Sequence, residues 1–259
     1  MLMAGQKMMN KYKKYMEIGR ELLCSLLFPK RCPVCDKILE PEEIKKGIHY
    51  TCENKFYTIQ KTVCMHCGRP IGNRTLEYCY DCIQKRYDKN SYITQAKALY
   101  LYKGAIKMTM YRFKYSNKRE YASFFAKQVM GQYAEWMNRI DADVIVPVPM
   151  YRKKQKKRGY NQAESFAKEI SKLTGVPIKT DLVSRVIDTA PQKGLDALQR
   201  KNNLKKAFHS KKNVVQYKRI IVVDDIYTTG STAEAVAKEL IKKGARQVYL
   251  ITVCIGEEM

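Results

Sequence analysis

The stretch from Arg219 to Leu240, RIIVVDDIYTTGSTAEAVAKEL, constrains the fold of this chain more than any other segment. It begins with an unbroken β-branched run, Ile220 to Val223, which is typical of a parallel strand covered on both faces. Apolar residues at helical spacing follow from Ala233, and Ser231 and Glu234 have the spacing of a capping box. The sequence therefore predicts a buried strand, a short polar loop and a helix in an α/β protein.

The loop between this strand and helix combines acids with groups that bind phosphate. Asp224 and Asp225 follow where the strand is predicted to end, and Thr228 to Thr232 supply four hydroxyls and one glycine. Such a loop directs hydroxyls and backbone N–H groups to one point at a helix N-terminus, which is an anion site. Acids beside it are expected if the ligand also carries hydroxyls or a divalent cation, as a ribose 5-phosphate does. The alternative is an ordinary strand–turn–helix with solvated acids.

This loop resembles the phosphoribosyl pyrophosphate (PRPP) loop of type I phosphoribosyltransferases. The resemblance implies that Asp224 and Asp225 are the catalytic acids, which hold the ribose 2′ and 3′ hydroxyls, and that PRPP binds together with Mg²⁺. The residues that it assigns to the 5-phosphate are Thr228, Thr229, Gly230, Ser231 and Thr232. In the purine-salvage branch an aspartate that assists the base occupies the position of Thr228. Because threonine does not exchange a proton at neutral pH, hypoxanthine–guanine chemistry is disfavoured.

Composition and charge limit the class of protein. A formal net charge of +24 over 259 residues favours association with polyphosphates and nucleic acids, although a lysine-rich surface without any partner is the alternative. No apolar run approaches the roughly 18 residues of a membrane span and no signal peptide is visible, so a cytoplasmic location is predicted. The nine cysteines stand mostly in C-x2-C pairs, which in a chain without a leader favours metal binding over disulfides.

The N-terminal residues 1–30 are predicted to form a basic amphipathic helix that ends at Pro29. Methionine, tyrosine and leucine side chains recur at helical spacing, with lysines between them. Such a helix can lie on an anionic membrane surface, which makes the inner face of the membrane a second predicted location. Packing against the rest of the chain or against a partner is the commoner arrangement.

Residues 31–85 are predicted to form a double zinc-ribbon domain. The stronger site has the spacing C-x2-C-x11-C-x2-C and comprises Cys64, Cys67, Cys79 and Cys82. Two thiolates three residues apart grip an ion from one side, and a second pair completes a tetrahedral shell. Four cysteines leave no open position for catalysis, so the metal is expected to be structural. Free thiols or a redox pair are the alternative.

A weaker site precedes it. Cys32, Cys35 and Cys52 follow the same pattern, but Lys55 stands where a fourth cysteine is expected. His49 is near enough in sequence to complete the set. Either a second zinc is bound here, or this ribbon has lost its metal. The sequence therefore predicts one or two structural Zn²⁺ ions.

Residues 95–259 are predicted to form the second domain, a mainly parallel sheet flanked by helices, after a linker at 83–94. Strands are predicted at 98–102, 144–149 and 247–255, and helices at 108–115, 117–140 and after Asn161. The dense basic run at 151–159 follows a buried strand, and 185–208 is predicted to be a mobile lid. The residues expected to contact pyrophosphate or to close over it are Tyr151, Arg152, Arg158, Arg185, Gln192 and Arg200. A solvated basic turn, a patch for DNA backbone and an exposed loop are the alternatives.

Three landmarks together, the cysteine ribbons, the VPVP…RGYNQAE segment and the VVDDIYTTGST loop, resemble the ComF family. That family is linked to competence and DNA uptake in bacteria, and its members carry a double zinc ribbon before a phosphoribosyltransferase-like domain. The resemblance implies cytoplasmic handling of incoming single-stranded DNA, with a competence helicase encoded nearby as a partner.

Two functions follow from these patterns. In the first, the chain is a phosphoribosyltransferase (a pentosyl glycosyltransferase) that acts on PRPP and an unidentified acceptor in natural transformation. In the second, it is a catalytically silent zinc-ribbon adaptor for nucleic acid or protein on the same scaffold, with interleaved tyrosines that stack on bases.

Overall fold

A computed structural model describes residues 16, 27–59, 62–73, 75–87, 91–187, 207–210 and 214–256. Most of the predicted N-terminal helix lies outside the described residues. Within the described parts of the chain, no helix combines the length and the apolar character that a membrane crossing requires. The chain divides between Glu53 and Asn54 into two compact units.

The first unit contains the first ribbon. An antiparallel bridge joins Arg31 to Ile38 across the turn that carries the first cysteine pair. The Cys32 N–H donates to the Lys37 carbonyl at 2.9 Å, and the Asp36 N–H donates back to the Cys32 carbonyl at 2.9 Å. A 3₁₀ helix at Tyr50–Lys55 carries the third cysteine. The turn and the short helix thus bring distant ligands toward one point.

The second unit is built on a four-stranded parallel sheet in the order β1-β6-β5-β2. Its strands are β1 (Gln95–Leu101), β2 (Val144–Pro147), β5 (Arg219–Tyr227) and β6 (Gln247–Ile255), while β3 (Ser184–Arg185) and β4 (Phe208–His209) form a separate antiparallel pair. The run Ile220 to Val223 is wholly buried at the centre of the sheet. A β-branched run of this kind is stable there because both faces of a parallel sheet are covered. The predicted α/β class with a parallel sheet is confirmed.

The described part of the second unit contains six α-helices, several of which pack on the sheet. They are α1 (Tyr80–Tyr87), α2 (Ala105–Tyr115), α3 (Tyr121–Ile140), α4 (Arg152–Arg158), α5 (Gln162–Thr174) and α6 (Ser231–Lys242). Aromatic rings from α2, α3 and α5 meet edge to face, with Phe125 contacting Phe113 and Phe166. The Asn161 side chain caps α5 by accepting from the Ala163 N–H at 3.1 Å, and this helix follows Asn161 as predicted.

Two element predictions need correction. Residues 83–94 are not a linker throughout, because α1 extends to Tyr87. The long third helix begins at Tyr121, four residues later than predicted, and its backbone leaves helical geometry at Tyr133. At this same residue the side-chain hydroxyl donates to the Ala98 carbonyl at 2.6 Å, and this hydrogen bond connects α3 to β1.

The second ribbon belongs to the same compact unit as the sheet. The Ala96 N–H at the start of β1 donates to the His66 carbonyl at 2.6 Å. A Cβ on Gly68, whose φ is +74°, would approach the Ala96 carbonyl oxygen to 2.9 Å, so only glycine allows this close approach. These contacts join the second ribbon to the sheet, and the domain boundaries of 31–85 and 95–259 stay a prediction.

Candidate functional site

The site forms where β5 extends beyond its neighbour β2. The last residue of β2, Pro147, pairs with Val223, so Asp224 and Asp225 lie on β5 past the end of that ladder. The strand itself continues to Tyr227, further than predicted, because β6 still pairs with it through Ile255. A crevice at the carboxyl ends of parallel strands is the usual ligand position in open α/β sheets.

The start of α6 corrects another prediction. Gly230, with φ 75°, is the N-cap, and a side chain there would overlap the Tyr227 hydroxyl. Ser231 is therefore the first helical residue, and its hydroxyl pairs with the Thr229 hydroxyl at 2.9 Å instead of forming a capping box. The Glu234 carboxylate accepts a hydrogen bond from the Tyr92 N–H at 2.8 Å. The capping box is wrong because a local contact with Thr229 engages Ser231 and a tertiary contact with Tyr92 engages Glu234.

A cleft of about 450 Å³ lies above these residues. Polar and charged side chains from five parts of the chain line it, namely Tyr102, Lys114, Lys154, Arg158, Asn161, Gln162, Arg185, Asp224, Asp225, Thr228 and Thr232. Both acids of the predicted site and the two ends of its hydroxyl loop thus face one space. Thr229, Gly230 and Ser231 form the turn between those ends.

Lys114, at the end of α2, is a site residue that the sequence interpretation did not single out. Its ammonium lies 2.9 Å from the Asp225 carboxylate. Burial lowers the pKa of Lys114, but the charges of Asp225 and Asp224 outweigh burial and leave the pKa raised above its usual value. Lys114 is therefore cationic and balances one of the two acids. No local spacing could have indicated it, because it lies more than a hundred residues away in sequence.

Asp224 is electrostatically distinct from its neighbour. Burial and then the charge of Asp225 raise the pKa of Asp224 to about 7, although the Asp225 N–H and Lys114 oppose the shift. The Asp225 N–H donates to Asp224 Oδ1 at 2.8 Å. Near neutral pH this carboxyl therefore changes charge readily, and a cation or a hydrogen-bond donor in the cleft would favour its ionised form.

The predicted pyrophosphate residues are distributed over two adjoining clefts. Arg158 and Arg185 line the cleft of the two acids. Tyr151 and Arg152 line a neighbouring cleft of about 770 Å³, which Arg185 also lines. The Arg158 guanidinium donates to the Gln162 amide oxygen at 2.8 Å. The other two predicted lid residues, Gln192 and Arg200, lie outside the described residues.

The second ribbon brings its four cysteines together in a dry environment. Cys64, Cys67, Cys79 and Cys82 are each 1 to 2% exposed, and their sulfurs all lie within 4.8 Å of one another. Cys67 Sγ and Cys79 Sγ are 3.7 Å apart. Zn–S bonds of about 2.3 Å in a tetrahedron require S–S distances of about 3.8 Å, so this donor set fits zinc.

The first ribbon gathers Cys32, Cys35, Cys52 and His49, whose ligand atoms also lie within 4.8 Å of one another. His49 Nε2 lies 2.9 Å from the Ile38 carbonyl oxygen, which can only accept, so this nitrogen carries a proton. His49 Nδ1 then faces Cys35 Sγ at 3.2 Å. A carbonyl that fixes the outer nitrogen while the inner one faces the ligand set is the usual orientation of a metal-binding histidine.

Comparison with known proteins assigns the family. Residues 23–83 match the double zinc ribbon domain, and residues 134–258 match the phosphoribosyl transferase domain. The chain is 30% identical over 214 residues to Competence protein F of Haemophilus influenzae, covering 80% of this chain and 89% of that protein. This chain belongs to the ComF family.

Other members of the ComF family match to a similar extent. The DNA utilization protein YhgH of Escherichia coli K12 is 30% identical over 211 residues, covering 80% of this chain and 90% of that protein. Competence protein ComFC of Bacillus subtilis is 27% identical over 213 residues, covering 80% and 82%. The ComF resemblance and the order of zinc ribbon and phosphoribosyltransferase-like domain are thereby confirmed. The ribbon match and the two ligand clusters support structural zinc.

Proposed function

We propose that this ComF-family chain binds PRPP with Mg²⁺ in the cleft at the end of β5 and acts in natural transformation. The observation that carries the proposal is the convergence of Asp224, Asp225, Thr228 and Thr232 on one cleft lined with basic side chains. Acids alone would repel a phosphate. Hydroxyls and N–H groups at one end of the cleft and carboxylates at the other match a ligand with a phosphate and a diol.

In this proposal the two carboxylates accept hydrogen bonds from the ribose 2′ and 3′ hydroxyls. The hydroxyls of Thr228, Thr229, Ser231 and Thr232 and the N–H groups at the start of α6 bind the 5-phosphate, helped by the positive end of the helix. Mg²⁺ supplies charge neutralisation for the pyrophosphate when bound. Lys114 keeps the acid pair from carrying two uncompensated charges in a partly buried cleft.

The chemistry that fits this cleft is transfer of ribose 5-phosphate, with inversion, from PRPP to an acceptor nucleophile. The C1′–pyrophosphate bond breaks, the bond to the acceptor forms, and the transition state resembles an oxocarbenium ion. Arg158 and Arg185 stabilise the charge that develops on the leaving pyrophosphate, with Tyr151, Arg152, Gln192 and Arg200 as further contacts. Whether an acceptor is used separates the transferase from the silent adaptor.

Calorimetry with PRPP and Mg²⁺ tests the proposal directly. Asp225→Asn should abolish PRPP-dependent thermal stabilisation, because the amide replaces one acceptor with a donor and leaves Lys114 without its charge partner. Asp141→Asn is the matched control, since Asp141 is exposed and pairs only with Arg219 among the contacts described. If Asp225→Asn binds PRPP as tightly as wild type does, the PRPP site is not at Asp225 and the proposal fails.

A second function, binding of single-stranded DNA, is favoured by an aromatic face beside the cleft. On α2, Tyr111 and Tyr115 are 57% and 62% exposed, with ring centroids 5.1 Å apart. The Arg158 guanidinium lies 4.9 Å from the Tyr115 ring centroid. Exposed rings next to a basic helix suit base stacking and phosphate contact. The relatives named for competence and DNA utilization support incoming DNA as the proposed partner, in the cytoplasm or at the inner face of the membrane. A competence helicase, which the ComF resemblance implies, is the second proposed partner.

Titration with single-stranded DNA at increasing salt tests this second function. Affinity should fall steeply with salt because basic side chains displace counterions. Tyr115→Ala should weaken binding by about 1–3 kcal/mol. Tyr50→Ala removes another exposed tyrosine, from the first unit, and serves as the control. Binding that is insensitive to salt and to Tyr115 would argue against DNA on this face.

A further inference from the structure

The second ribbon is joined to the proposed phosphate loop through a buried arginine. Arg69 is only 4% exposed. Its Nη1 donates to Asp81 Oδ2 at 2.7 Å, and its Nη2 donates to the Thr228 carbonyl at 2.9 Å. Asp81 stands between the predicted zinc ligands Cys79 and Cys82, and Thr228 is the first residue of the loop. One guanidinium therefore spans from the ribbon to the loop.

A second connection reaches the other end of the loop. His66 Nδ1 lies 3.3 Å from Cys82 Sγ, and His66 Nε2 lies 2.8 Å from the Ile93 carbonyl oxygen. The Tyr92 and Ile93 N–H groups both donate to the Glu234 carboxylate, at 2.8 and 3.3 Å. Glu234 belongs to the first turn of α6, immediately after the loop. The loop is thus held at its beginning and just beyond its end by groups that contact the ribbon.

Charge explains why an arginine is buried here. A zinc ion with four thiolates carries a net charge of −2, and a buried charge needs a partner of opposite sign. The Asp81 side chain is half exposed, so the thiolate cluster is the more deeply buried counter-charge for Arg69.

We propose that the second zinc site fixes the geometry of the loop at 228–232, and that Arg69 is the positioning residue through which it does so. The identification of PRPP as the ligand of this loop rests on the proposed function, whereas the inference that the ribbon makes the loop rigid does not. A loop that leaves its binding-competent geometry part of the time binds its ligand more weakly in proportion to the fraction lost. Zinc in the ribbon therefore sets PRPP affinity without touching PRPP.

The experiment compares wild type, Arg69→Met and Arg69→Lys, with zinc content measured for each. Amide hydrogen exchange over Tyr227 to Glu234 and calorimetric PRPP affinity are the two readouts. Arg69→Met should keep its zinc, exchange faster in this segment and bind PRPP at least about tenfold more weakly, because the charge-assisted hydrogen bond to the Thr228 carbonyl is lost. Arg69→Lys keeps the charge, but its ammonium cannot reach both partners as the guanidinium fork does. Its amide exchange rate and its PRPP affinity should therefore lie between those of wild type and Arg69→Met.

Arg31→Met is the matched control, because Arg31 donates to the Asp36 carbonyl within the first ribbon at 2.8 Å. It should leave exchange at 227–234 and PRPP affinity unchanged. Equal exchange in folded, zinc-loaded Arg69→Met and wild type would overturn the proposal. Should Arg69→Met fail to fold, Asp81→Asn provides the same comparison with a smaller expected increase in exchange, and no increase there would overturn it as well. If wild type binds no PRPP, the proposed function is contradicted. The exchange comparison still tests whether Arg69 fixes the geometry of the loop.

Discussion

The two ribbons of this chain begin with the same C-x2-C pattern but differ in what their ligands contact. In the first, three cysteines and His49 form a cluster in which the His49 ring contacts the Ile38 carbonyl of the same unit. In the second, four buried cysteines are surrounded by residues that bond to β1 and to the loop after β5. Ligand spacing thus predicts a metal site, but the neighbouring contacts decide whether the site is self-contained or supports another part of the protein.

The largest expected difference comes from removing one ligand in each ribbon. Cys79→Ser should release zinc from the second site and lower the free energy of unfolding of the sheet unit by more than about 4 kcal/mol, because metal loss exposes a buried cluster. Cys35→Ser should release zinc from the first site only. Zinc analysis with thermal unfolding monitored by Trp136, which lies in the sheet unit, measures both. If the two variants destabilise the sheet unit equally, the second ribbon does not support the sheet more than the first ribbon does.

His49 decides how many metals the chain holds. His49→Ala should lower the zinc content from about two to about one per chain, since three thiolates lack a fourth protein ligand. His49→Cys should restore it, because a thiolate replaces the imidazole in the same cluster. A zinc content that stays at two in His49→Ala would remove His49 from the ligand set.

Glu234 tests whether the segment that contacts the second ribbon also anchors the start of α6. Glu234→Gln should lower the free energy of unfolding by about 1–3 kcal/mol, because one carboxylate accepts from two backbone N–H groups. The exposed pair of Glu164 with Lys168 offers the control, and Glu164→Gln should cost less than about 0.5 kcal/mol. Chemical denaturation measures both variants. Similar small losses would show that Glu234 does not anchor α6.

The smallest expected effect is a pH dependence that neither ribbon controls. The pKa of Asp224 is raised to about 7, so the folded state holds more protons than the unfolded state between roughly pH 4 and 7. The contribution of Asp224 to stability is therefore lost as pH rises through that window. Affinity for PRPP with Mg²⁺ should rise severalfold from pH 6 to 8, because the ionised carboxylate is the binding form.

Calorimetry at several pH values on wild type and Asp224→Asn measures this effect. The pH dependence that remains in Asp224→Asn comes from other groups, including PRPP itself. The plot of PRPP affinity against pH should therefore be flatter for this variant than for wild type. Cys35→Ser, altered only in the first ribbon, should follow the wild-type profile. Identical profiles for wild type and Asp224→Asn would show that Asp224 does not titrate in this range.

Much of the fold and the centre of the site could be predicted from local patterns. The run Ile220 to Val223 is buried as predicted, and the strand predicted at 247–255 is β6, which pairs with β5. The capping box at Ser231 and the strand end before Asp224 were wrong, since a tertiary hydrogen bond occupies Glu234 and β6 keeps pairing to Ile255. Local propensity describes a segment alone, and both errors arose where another segment competes for the same groups.

The sequence alone determined that this chain contains two cysteine clusters with metal-ligand spacing, of which one lacks its fourth cysteine, and also a parallel sheet and a loop of acids and hydroxyls after a buried strand. Those features depend on residue type and spacing over short distances. Only the tertiary structure decided that Lys114 neutralises Asp225 and that Arg69 joins the second ribbon to Thr228. Such pairs are set by which elements the parallel sheet brings together, and Arg69 and Thr228 are 159 residues apart in the chain.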